Sequence, residues 1–349
     1  MKDSIAFCGN IITDQVKLIP RWPNKGMLVP ITSTTRAVGG SVCNTAIDLK
    51  TLDPAVEVQA IGMVGMDDNG DFAVRTMEAR GIDCSRVGRS AGRPTSFTDV
   101  MTVEGTGERT FFNLHGADSE LAPDDVDVSS LGCAVFHFGY LLLLDGMDAP
   151  DEEYGTKAAR LLARVQAAGI KTSVDIVSEQ SDRFARIVRP ALRHCDYCII
   201  NEIEGALATG RKADDLRGVC EGLFELGVRE RVVVHCPEVG VTLGRGGDFV
   251  RMPSLRLPDG WIVGTVGAGD AFCAGVLYAL LKDFDPETAL RLGSAAAAAN
   301  LAVADSVSGA KPFAETMALD ARFPRRDLPP PGGDVCRCVA PGANQSQES

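Results

Sequence analysis

Short apolar runs alternate with helical segments along most of the chain, and this alternation limits the possible folds more than any other feature. The apolar runs indicate buried strands at residues 5–8, 57–61, 134–138, 171–175, 197–200 and 231–235. Helical patterns between them cover residues 44–52, 71–80, 156–168 and 213–226. Strands and helices that alternate in this way form a mostly parallel sheet covered on both faces, which predicts a three-layer α/β/α fold.

Two regions interrupt this alternation and differ from the strands of a buried sheet. Residues 15–19 and 28–38 are rich in Thr and Val and lack a helical period. Residues 95–103 and 110–113 flank the sequence Glu-Gly-Thr-Gly-Glu, which is typical of a hairpin turn. One side of these strands is too polar for a sheet core. They therefore predict a small accessory β-layer, a lid or an interface, from about residues 12–38 and 95–114.

Composition excludes several classes of protein. The 349 residues carry 35 Lys and Arg against 47 Asp and Glu, and the net charge of −12 does not suit the binding of nucleic acid or of an anionic membrane surface. No run approaches the ~18 apolar residues of a membrane span, and the residues after Met1 turn polar too soon for a signal peptide. Eleven scattered cysteines are typical of reduced thiols, so a cytoplasmic protein is predicted.

The segment at residues 261–275 carries the clearest chemical signal. It is predicted to be a short apolar strand, a glycine-rich turn and the start of a helix. Gly267 and Gly269 allow successive backbone N–H groups to point into one concavity at the helix N-terminus, where the helix dipole favours an anion. Asp270 stands beside this concavity and can accept the proton of a substrate hydroxyl that attacks phosphorus. Spacing alone also allows Asp270 to be an ordinary helix cap.

Two other phosphate-binding motifs do not fit this segment. A Walker A loop requires Gly-Lys followed by Ser or Thr, and the chain contains no Gly-Lys pair. A dinucleotide-binding fingerprint requires a third glycine where Phe272 stands, and it usually opens the first βαβ unit. A nicotinamide-dependent dehydrogenase is therefore disfavoured.

Four motifs resemble those of the ribokinase-like (PfkB) sugar kinases and occur in the order that the family has. Residues 264–272 resemble the C-terminal signature Asp-Thr-x-Gly-Ala-Gly-Asp-Ala-Phe, and residues 39–46 resemble the N-terminal Gly-Gly…Asn-x-Ala element. Residues 61–70 resemble Gly-x-Val-Gly-x-Asp-x-x-Gly, and residues 201–204 match Asn-x-x-Glu. The resemblance covers roughly residues 4–312, and it implies a ribokinase-like three-layer core with a β-lid.

The resemblance also implies roles for individual residues. Asp270 would be the catalytic base, and the backbone amides of Gly267, Ala268 and Gly269 would form the anion hole. Glu204 would organise Mg²⁺, through water as this ion prefers, together with the phosphates of ATP. The implied substrate-binding residues are Asp14, Gly39, Gly40 and Asn44. The implied nucleotide-binding residues are Asn201, Glu204, His235, Gly240, Thr265 and Asn300.

The residues by themselves leave other interpretations open. Asn44 is equally suited to cap a helix, and Asp14 to occupy a turn. Glu204 alone would suit a solvated helix face. His235 is either a donor to phosphate or a structural histidine, and His137 is expected in or near the core.

At two positions the chain departs from the family pattern. Gly264 stands where relatives have an aspartate that helps to hold a monovalent cation, and because glycine offers no carboxylate, a requirement for K⁺ is not predicted. Pro237 replaces the first glycine of the turn that contacts the nucleotide and removes a backbone N–H, while His235 replaces a hydroxyl residue. Nucleotide binding is therefore expected to differ locally or to be weaker.

These observations predict one kinase domain over residues 1–325 and a poorly ordered Pro- and Gly-rich tail over residues 326–349. The expected activity is ATP- and Mg²⁺-dependent phosphorylation of a hydroxymethyl group on a sugar or sugar-like molecule. A nucleoside kinase of the same fold is one alternative, and a sugar-binding or regulatory protein with impaired ATP use is another. In relatives the lid often pairs between subunits, so the resemblance implies a homodimer.

Overall fold

The computed structural model describes residues 3–106, 108–179 and 181–327. Its strands, in chain order, are β1 (Ser4–Gly9), β2 (Ile12–Ile19), β3 (Ser33–Gly39), β4 (Glu57–Gly65), β5 (Asp83–Ser90), β6 (Phe97–Val103), β7 (Arg109–Leu114), β8 (Val135–Leu141), β9 (Pro150–Asp151), β10 (Gly155–Thr156), β11 (Lys171–Ile176), β12 (Tyr197–Asn201), β13 (Arg231–His235), β14 (Val239–Gly244) and β15 (Phe249–Pro253). Its α-helices are α1 (Ser41–Leu52), α2 (Asp68–Glu78), α3 (Asp145–Asp148), α4 (Lys157–Ala167), α5 (Phe184–Leu192), α6 (Glu202–Thr209), α7 (Leu216–Glu225), α8 (Ala268–Leu281), α9 (Pro286–Asn300) and α10 (Phe313–Arg322).

A main sheet of nine strands runs through the molecule in the order β15-β14-β13-β12-β11-β8-β1-β4-β5. The seven strands from β13 to β5 are parallel, and β14 and β15 join antiparallel at one edge. All six apolar runs of the sequence lie in parallel strands of this sheet, because such strands are buried on both faces. The polar edge strand β5 and the hairpin strands β14 and β15 lie outside the sequence prediction.

The two faces of the main sheet belong to two separate apolar layers. Ile5 and Phe7 of β1 pack in one layer with α1, α2, α8 and α9. Ala6 and Cys8, which point to the opposite face, pack in the other layer with α4, α5, α6 and α7. The predicted three-layer α/β/α fold is therefore confirmed.

A second sheet lies apart from the main one, with strands in the order β3-β2-β6-β7. β2 pairs antiparallel with β3 and parallel with β6, and β6 and β7 form the expected hairpin. In β6, buried side chains alternate with partly exposed ones, as expected where one face of a sheet packs on the protein, whereas most of β3 and β7 is exposed. Its function as a lid stays a prediction.

The predicted strand before the glycine-rich turn is wrong. Residues 261–263 are irregular, and Ile262 and Val263 are more than half exposed. Pro258 and Gly260 precede them in a turn, and the Val263 amide donates to Leu301 O at the end of α9 instead of entering a ladder. An apolar sequence alone does not make a strand where no neighbouring strand offers an edge.

Three further findings concern the class of the protein. No helix within the described ranges is long and apolar enough to cross a bilayer. The cysteines that the structure describes are free and buried. Of the predicted tail, Arg326 is described and donates its amide to Ser254 O, whereas residues 328–349 lie outside the described residues.

Candidate active site

The carboxyl ends of β1 and β8 lie at the centre of the site. The chain continues from β1 to β4 and β5 on one side of the main sheet, and from β8 to β11, β12 and β13 on the other. In open α/β sheets, ligands bind in the crevice that forms where the strand order reverses in this way. Asn10 follows β1 at this point, and Tyr140 lies near the end of β8.

Asp270 lies in the first turn of α8 and is buried against two other elements. Asn44 Nδ2 on α1 donates to Asp270 Oδ2 at 2.9 Å. The Tyr140 hydroxyl on β8 donates to Asp270 Oδ1 at 2.5 Å, and Thr45 Oγ1 lies 3.5 Å from the same oxygen. Asp270 therefore does not cap α8, because its carboxylate faces α1 and β8 rather than its own helix.

Burial and hydrogen bonding act on Asp270 in opposite directions. Burial raises the pKa of the Asp270 carboxyl above its ordinary value. Hydrogen bonds from Tyr140, Asn44 and Thr45 stabilise the carboxylate and hold this rise of the pKa back. A carboxylate that is ionised but poorly solvated is well suited to take a proton from a hydroxyl group.

The turn before α8 places backbone amides beside this carboxylate. Gly267 is the N-cap of α8 and has a positive φ of 78°, which glycine adopts without strain. A Cβ atom on Gly267 would meet the backbone oxygen of Ser306 at 2.5 Å, so the turn packs closely against the loop after α9. The Ala268 amide makes a long contact of 3.4 Å with Thr265 O. The Gly269 amide, like other amides in the first turn of an α-helix, has no acceptor within the helix and is available to an anion.

The predicted substrate residues surround the other side of Asp270. Gly39 ends β3 so close to β2 that a Cβ atom there would lie 2.6 Å from Asp14 Oδ2. Gly40 is the N-cap of α1 with φ 87°, and a Cβ atom there would lie 2.6 Å from the Asn10 backbone oxygen. Asn44 lies inside α1 and not at its cap, so the capping interpretation is wrong for this residue. Burial, with the charge of Asp270 as a lesser cause, raises the pKa of Asp14 to about 6.

The motif at residues 61–70 has a structural role beside the site. Asp67 is the N-cap of α2 and accepts from the Gly70 amide at 2.9 Å. The same carboxylate accepts from the backbone amide of Thr95 at 2.8 Å and from its hydroxyl at 2.6 Å. Asp67 therefore ties the end of β4 to the chain that enters the second sheet.

A cavity of about 410 Å³ opens on the far side of the first turn of α8. This volume is within the ~300–1,000 Å³ typical of small-molecule sites. Apolar and small side chains make up most of its wall, with a few polar groups at the ends of β12 and β13. The lining residues are Asn201, Glu202, Ile203, His235, Cys236, Pro237, Ser254, Leu255, Leu257, Ile262, Thr265, Ala268, Gly269, Phe272, Ser294, Ala297, Ala298, Leu301 and Arg326.

The predicted nucleotide residues divide into those that line the cavity and those that do not, and Glu204 belongs to the second group. Asn201, His235 and Thr265 line the cavity. Gly240 lies behind the cavity wall instead, where a Cβ atom would lie 3.3 Å from Phe272 Cζ. Asn300 is also outside the lining, because its amide is turned inwards and donates to Ser306 O at 2.6 Å.

His235 lines the cavity and also packs against a neighbouring aromatic ring, as a structural histidine does. Its ring lies 4.5 Å from that of Phe272, between centroids, at an interplanar angle of 36°. Burial lowers the pKa of His235 to about 4, so the imidazole is neutral at neutral pH. A neutral imidazole can still donate one N–H to a ligand oxygen.

Asn201 and Glu204 form a capping box at the start of α6. Asn201 Oδ1 accepts from the Glu204 amide at 2.9 Å, and Glu204 Oε2 accepts from the Asn201 amide at 2.9 Å. Glu204 Oε1 accepts from Ser178 Oγ at 2.6 Å and from Asn201 Nδ2 at 2.7 Å. Burial raises the pKa of Glu204 to about 7, although these hydrogen bonds oppose the rise.

Backbone atoms surround Gly264, so this position has little room for a side chain. A Cβ atom there would lie 2.7 Å from Val303 O and 3.1 Å from the Cα of Ala304. An aspartate at this position therefore requires the loop at residues 303–304 to move. In this chain the loop at residues 303–304 packs so closely that glycine fits at position 264 without this movement.

Three residues of the site are not predicted from the sequence, namely Tyr140, Thr45 and Ser306. Tyr140 and Thr45 donate to the Asp270 carboxylate. Ser306 Oγ donates to Asn44 Oδ1 at 2.9 Å and lies 3.2 Å from the Val38 backbone oxygen, so it holds Asn44 in place. For Tyr140 a signal existed, because it follows a predicted parallel strand at the end where ligands bind. Thr45 and Ser306 carry no such signal.

A buried carboxylate lies beside helix N-terminal amides, with a cavity of ligand size on one side and polar groups on the other, an arrangement that is typical of enzyme sites. Comparison with known proteins gives the class more closely. Residues 2–311 match the family described as pfkB family carbohydrate kinase. The chain belongs to the PfkB family of carbohydrate kinases.

Similar proteins agree with this class. The chain is 27% identical to an uncharacterized sugar kinase of Archaeoglobus fulgidus over 244 residues, which is 70% of this chain and 90% of the relative. It is 27% identical to the 5-dehydro-2-deoxygluconokinase of Shouchella clausii over 283 residues, or 76% of this chain and 80% of the relative. The structure of Arabidopsis thaliana ribokinase, complexed with ribose and ATP, superposes with a TM-score of 0.76 at 20% identity, covering 92% of this chain and 99% of that one. The protein is therefore a carbohydrate kinase with the ribokinase fold, and kinases of this family use ATP.

Proposed function

We propose that this protein transfers the γ-phosphoryl group of ATP to a hydroxymethyl group of a sugar or sugar-like molecule, with Asp270 as the general base. One observation carries this proposal. The Asp270 carboxylate lies between two groups, with residues of β2, β3 and α1 on one side and the amides that begin α8 on the other. Three side chains hold it there. A hydroxyl bound near Asp14 and Asn44 would face the base on one side and a bound phosphate on the other.

The reaction follows from this placement. Asp270 accepts the proton of the substrate hydroxyl, and the oxygen forms its bond to the γ-phosphorus while the bond to the bridging oxygen of ADP breaks. The amides of Gly267, Ala268 and Gly269 stabilise the charge on the transferring phosphoryl group. Asp14, Asn44 and the backbone at Gly39 and Gly40 hold the other hydroxyls of the substrate.

The adenine and ribose of ATP are proposed to occupy the cavity beside α8. Ala297 and Ala298 of α9 line this cavity together with the apolar side chains of Leu255 and Ile262. A mostly apolar lining of this kind suits a planar heterocycle. Thr265 and His235 lie nearer the start of α8, where polar groups can reach the phosphates.

Magnesium fits the oxygen donors near the end of β12 if it is held through water. Both carboxylate oxygens of Glu204 already accept hydrogen bonds from Ser178 and Asn201, so direct coordination would break the cap of α6. Mg²⁺ retains several water molecules in most protein sites. When bound, it neutralises charge on the phosphate oxygens of ATP. Glu204 and Asn201 would orient the water around it.

The proposal is tested by measuring ADP release over a panel of sugars, sugar acids and nucleosides in the presence of ATP and Mg²⁺. Turnover with one or more sugars is expected, and the same reaction with Asp270→Asn sets the background. Turnover with nucleosides alone would favour a nucleoside kinase. Failure to bind ATP at millimolar concentration, with or without Mg²⁺, would favour a sugar-binding or regulatory protein.

Because Asp14 is buried where substrate is proposed to bind, its titration makes the free energy of unfolding depend on pH. Its pKa is raised from an ordinary 3.8 to about 6, chiefly by burial, so the folded state disfavours the ionised form. Stability is therefore highest when Asp14 is protonated and falls as pH rises from about 4 to 6. We expect Asp14→Asn to be more stable than the wild type at pH 8 by up to about 3 kcal/mol, with the difference lost near pH 4. Sugar affinity should fall, because the ligand loses an acceptor.

Urea denaturation at both pH values measures this difference, and Glu152→Gln, which removes an exposed negative charge, is the control. A gain in stability that is equal at the two pH values would contradict the explanation. So would a loss of stability at pH 8.

The second sheet is proposed to form a homodimer through the face that points away from the substrate. Asn113 donates to Thr98 on the face that carries Asp14, so Phe112 and Leu114 point to the opposite face. Both are exposed, and the Trp22 ring stacks on Phe112 with 6.4 Å between centroids. Exposed apolar groups that cluster in this way are typical of an interface.

Analytical ultracentrifugation is expected to show a dimer that Phe112→Glu converts to a monomer. The matched substitution Phe284→Glu, at another partly exposed phenylalanine, should leave the dimer intact. A wild-type monomer at micromolar concentration would contradict the dimer without affecting the proposed reaction.

A further inference from the structure

A polar cluster interrupts the apolar layer between the main sheet and α8. His137 of β8, Asp175 of β11 and Cys273 of α8 belong to it, and they are 0%, 9% and 1% exposed. The Phe7 ring packs edge-on against the His137 ring, with 5.5 Å between centroids. Polar side chains are costly in such surroundings unless they are partnered. Asp175 Oδ1 accepts from the adjacent Ile176 amide at 2.7 Å, and His137 Nδ1 lies beside Ser173 Oγ.

The donor atoms of these three residues converge. One nitrogen of His137, the sulfur of Cys273 and a carboxylate oxygen of Asp175 all lie within 4.8 Å of one another. His137 Nε2 and Cys273 Sγ are 4.0 Å apart. Zinc bonds of ~2.0–2.1 Å to nitrogen and ~2.3 Å to sulfur, in tetrahedral geometry, bring these atoms to roughly 3.5 Å. A small inward shift of the side chains is enough to close the site around an ion.

The imidazole is already oriented as a metal ligand. His137 Nδ1 lies 3.0 Å from Ser173 Oγ on the neighbouring strand, and β8 and β11 pair these two residues directly. This contact leaves Nε2 directed at Cys273. In the tautomer whose Nδ1–H donates to Ser173 Oγ, Nε2 carries the free electron pair that a metal ion requires. Histidine ligands are commonly held through the second ring nitrogen in this manner.

A buried hydroxyl next to the cluster provides a second and independent observation. Ser41 is 1% exposed, and its Oγ has no hydrogen-bond partner among the described residues. A Cβ atom on Gly139 would collide with Ser41 Oγ and would lie 3.4 Å from His137 Nε2. The hydroxyl and the imidazole therefore approach each other across a glycine. An unpartnered buried hydroxyl in this position can complete the ligand set directly or through a water molecule.

We propose that His137, Asp175 and Cys273 bind a zinc ion that ties the first turns of α8 to the main sheet, behind Asp270. Nitrogen, sulfur and carboxylate donors together favour zinc over the Mg²⁺ that accompanies ATP. Binding replaces the thiol proton of Cys273 with a bond to zinc and releases that proton. Because Cys273 lies one helical turn after Asp270, the ion would hold the helix that carries the base.

The test uses the full chain in a background with Cys336→Ser and Cys338→Ser, so that the Cys-Arg-Cys sequence of the tail cannot bind metal. The protein is loaded with Zn²⁺ in excess Mg²⁺, desalted and measured by elemental analysis, and about one zinc per chain is expected. Replacement by Co²⁺ should produce the near-ultraviolet charge-transfer band of a thiolate ligand. Removal of zinc with a chelator should lower Tm by several degrees.

Two matched variants separate a zinc site from a general effect of losing a buried thiol. Cys273→Ala should lose the zinc and the cobalt band, whereas Cys220→Ala, at a buried cysteine of α7 in the other layer, should keep both. Ser173→Ala should bind zinc roughly 10–100-fold more weakly, because the ligand loses its orienting partner. If Cys273→Ala does not fold, the cobalt spectrum of the background protein decides. The absence of zinc and of a thiolate band in that protein would overturn the proposal, as would equal zinc content in the two cysteine variants.

Discussion

Asp270→Asn is expected to lower kcat by roughly 10²–10⁴-fold while the protein stays folded and still binds sugar. The substitution keeps the size of the side chain but removes the group that accepts the proton. Stability should be unchanged or higher at neutral pH, since burial raises the pKa of this carboxyl and its ionised form is costly in the folded state. Steady-state kinetics with the sugar that the panel identifies, together with a thermal melt, measure both effects. A variant with near-normal kcat would remove Asp270 from the mechanism.

Tyr140→Phe is the comparison that separates the base from a residue that positions it. The variant loses the hydroxyl that donates to Asp270 Oδ1 at 2.5 Å, while Asn44 and Thr45 remain. Because this hydrogen bond lowers the pKa of Asp270, its loss should raise that pKa. The acidic limb of the kcat profile is then expected to move to higher pH, with part of the activity restored on the alkaline side. A uniform loss at all pH values would indicate that Tyr140 acts in another way.

Gly267→Ala is expected to lower kcat by roughly 10²–10³-fold, the cost typical of losing one donor to a developing anion. Gly267 has φ 78°, which costs an L-residue about 1–2 kcal/mol. The new Cβ atom would also lie 2.5 Å from Ser306 O, so the turn and the loop after α9 must separate. This movement displaces the amides of the anion site and also disturbs Ser306, which supports Asn44.

Gly260→Ala provides the control for backbone strain alone. Gly260 has nearly the same φ, 77°, but a Cβ atom there meets nothing within 4 Å. It should therefore lose about 1–2 kcal/mol of stability and keep its kcat. Urea denaturation and kinetics on both variants measure the two quantities. Equal kcat values for the two variants would show that the turn at Gly267 does not form the anion site.

The sequence predicted those parts of the fold that depend on local pattern. Parallel strands such as Ser4–Gly9 and Arg231–His235 are continuous apolar runs, because both of their faces are buried. The antiparallel strand Val239–Gly244 was not predicted, since its sequence also suits a turn and its pairing with β13 is what makes it a strand. The apolar residues 261–263 gave the opposite error, because no strand lies beside them.

The candidate site likewise combines features that follow from local sequence with features that depend on tertiary contacts. Motifs with fixed spacing, such as the glycine-rich turn and the Asn201–Glu204 pair, could be found because each of them forms within one turn of a helix. Asn300 was expected to contact the nucleotide, yet the structure turns its amide towards Ser306. The direction in which a buried amide points depends on neighbours that are distant in sequence, and a single residue type does not reveal them.

The sequence alone therefore determined the layered α/β fold, the family and the helix start that carries the base, because strand burial, glycine turns and helix termini are local properties of the chain. Only the tertiary structure decided how the base is held. Asn44 and Asp270 are 226 residues apart in the chain, and Tyr140 comes from a third element. The same holds for the cluster of His137, Asp175 and Cys273, since packing two strands against one helix is what brings the polar atoms of three unrelated positions within 4.8 Å of one another.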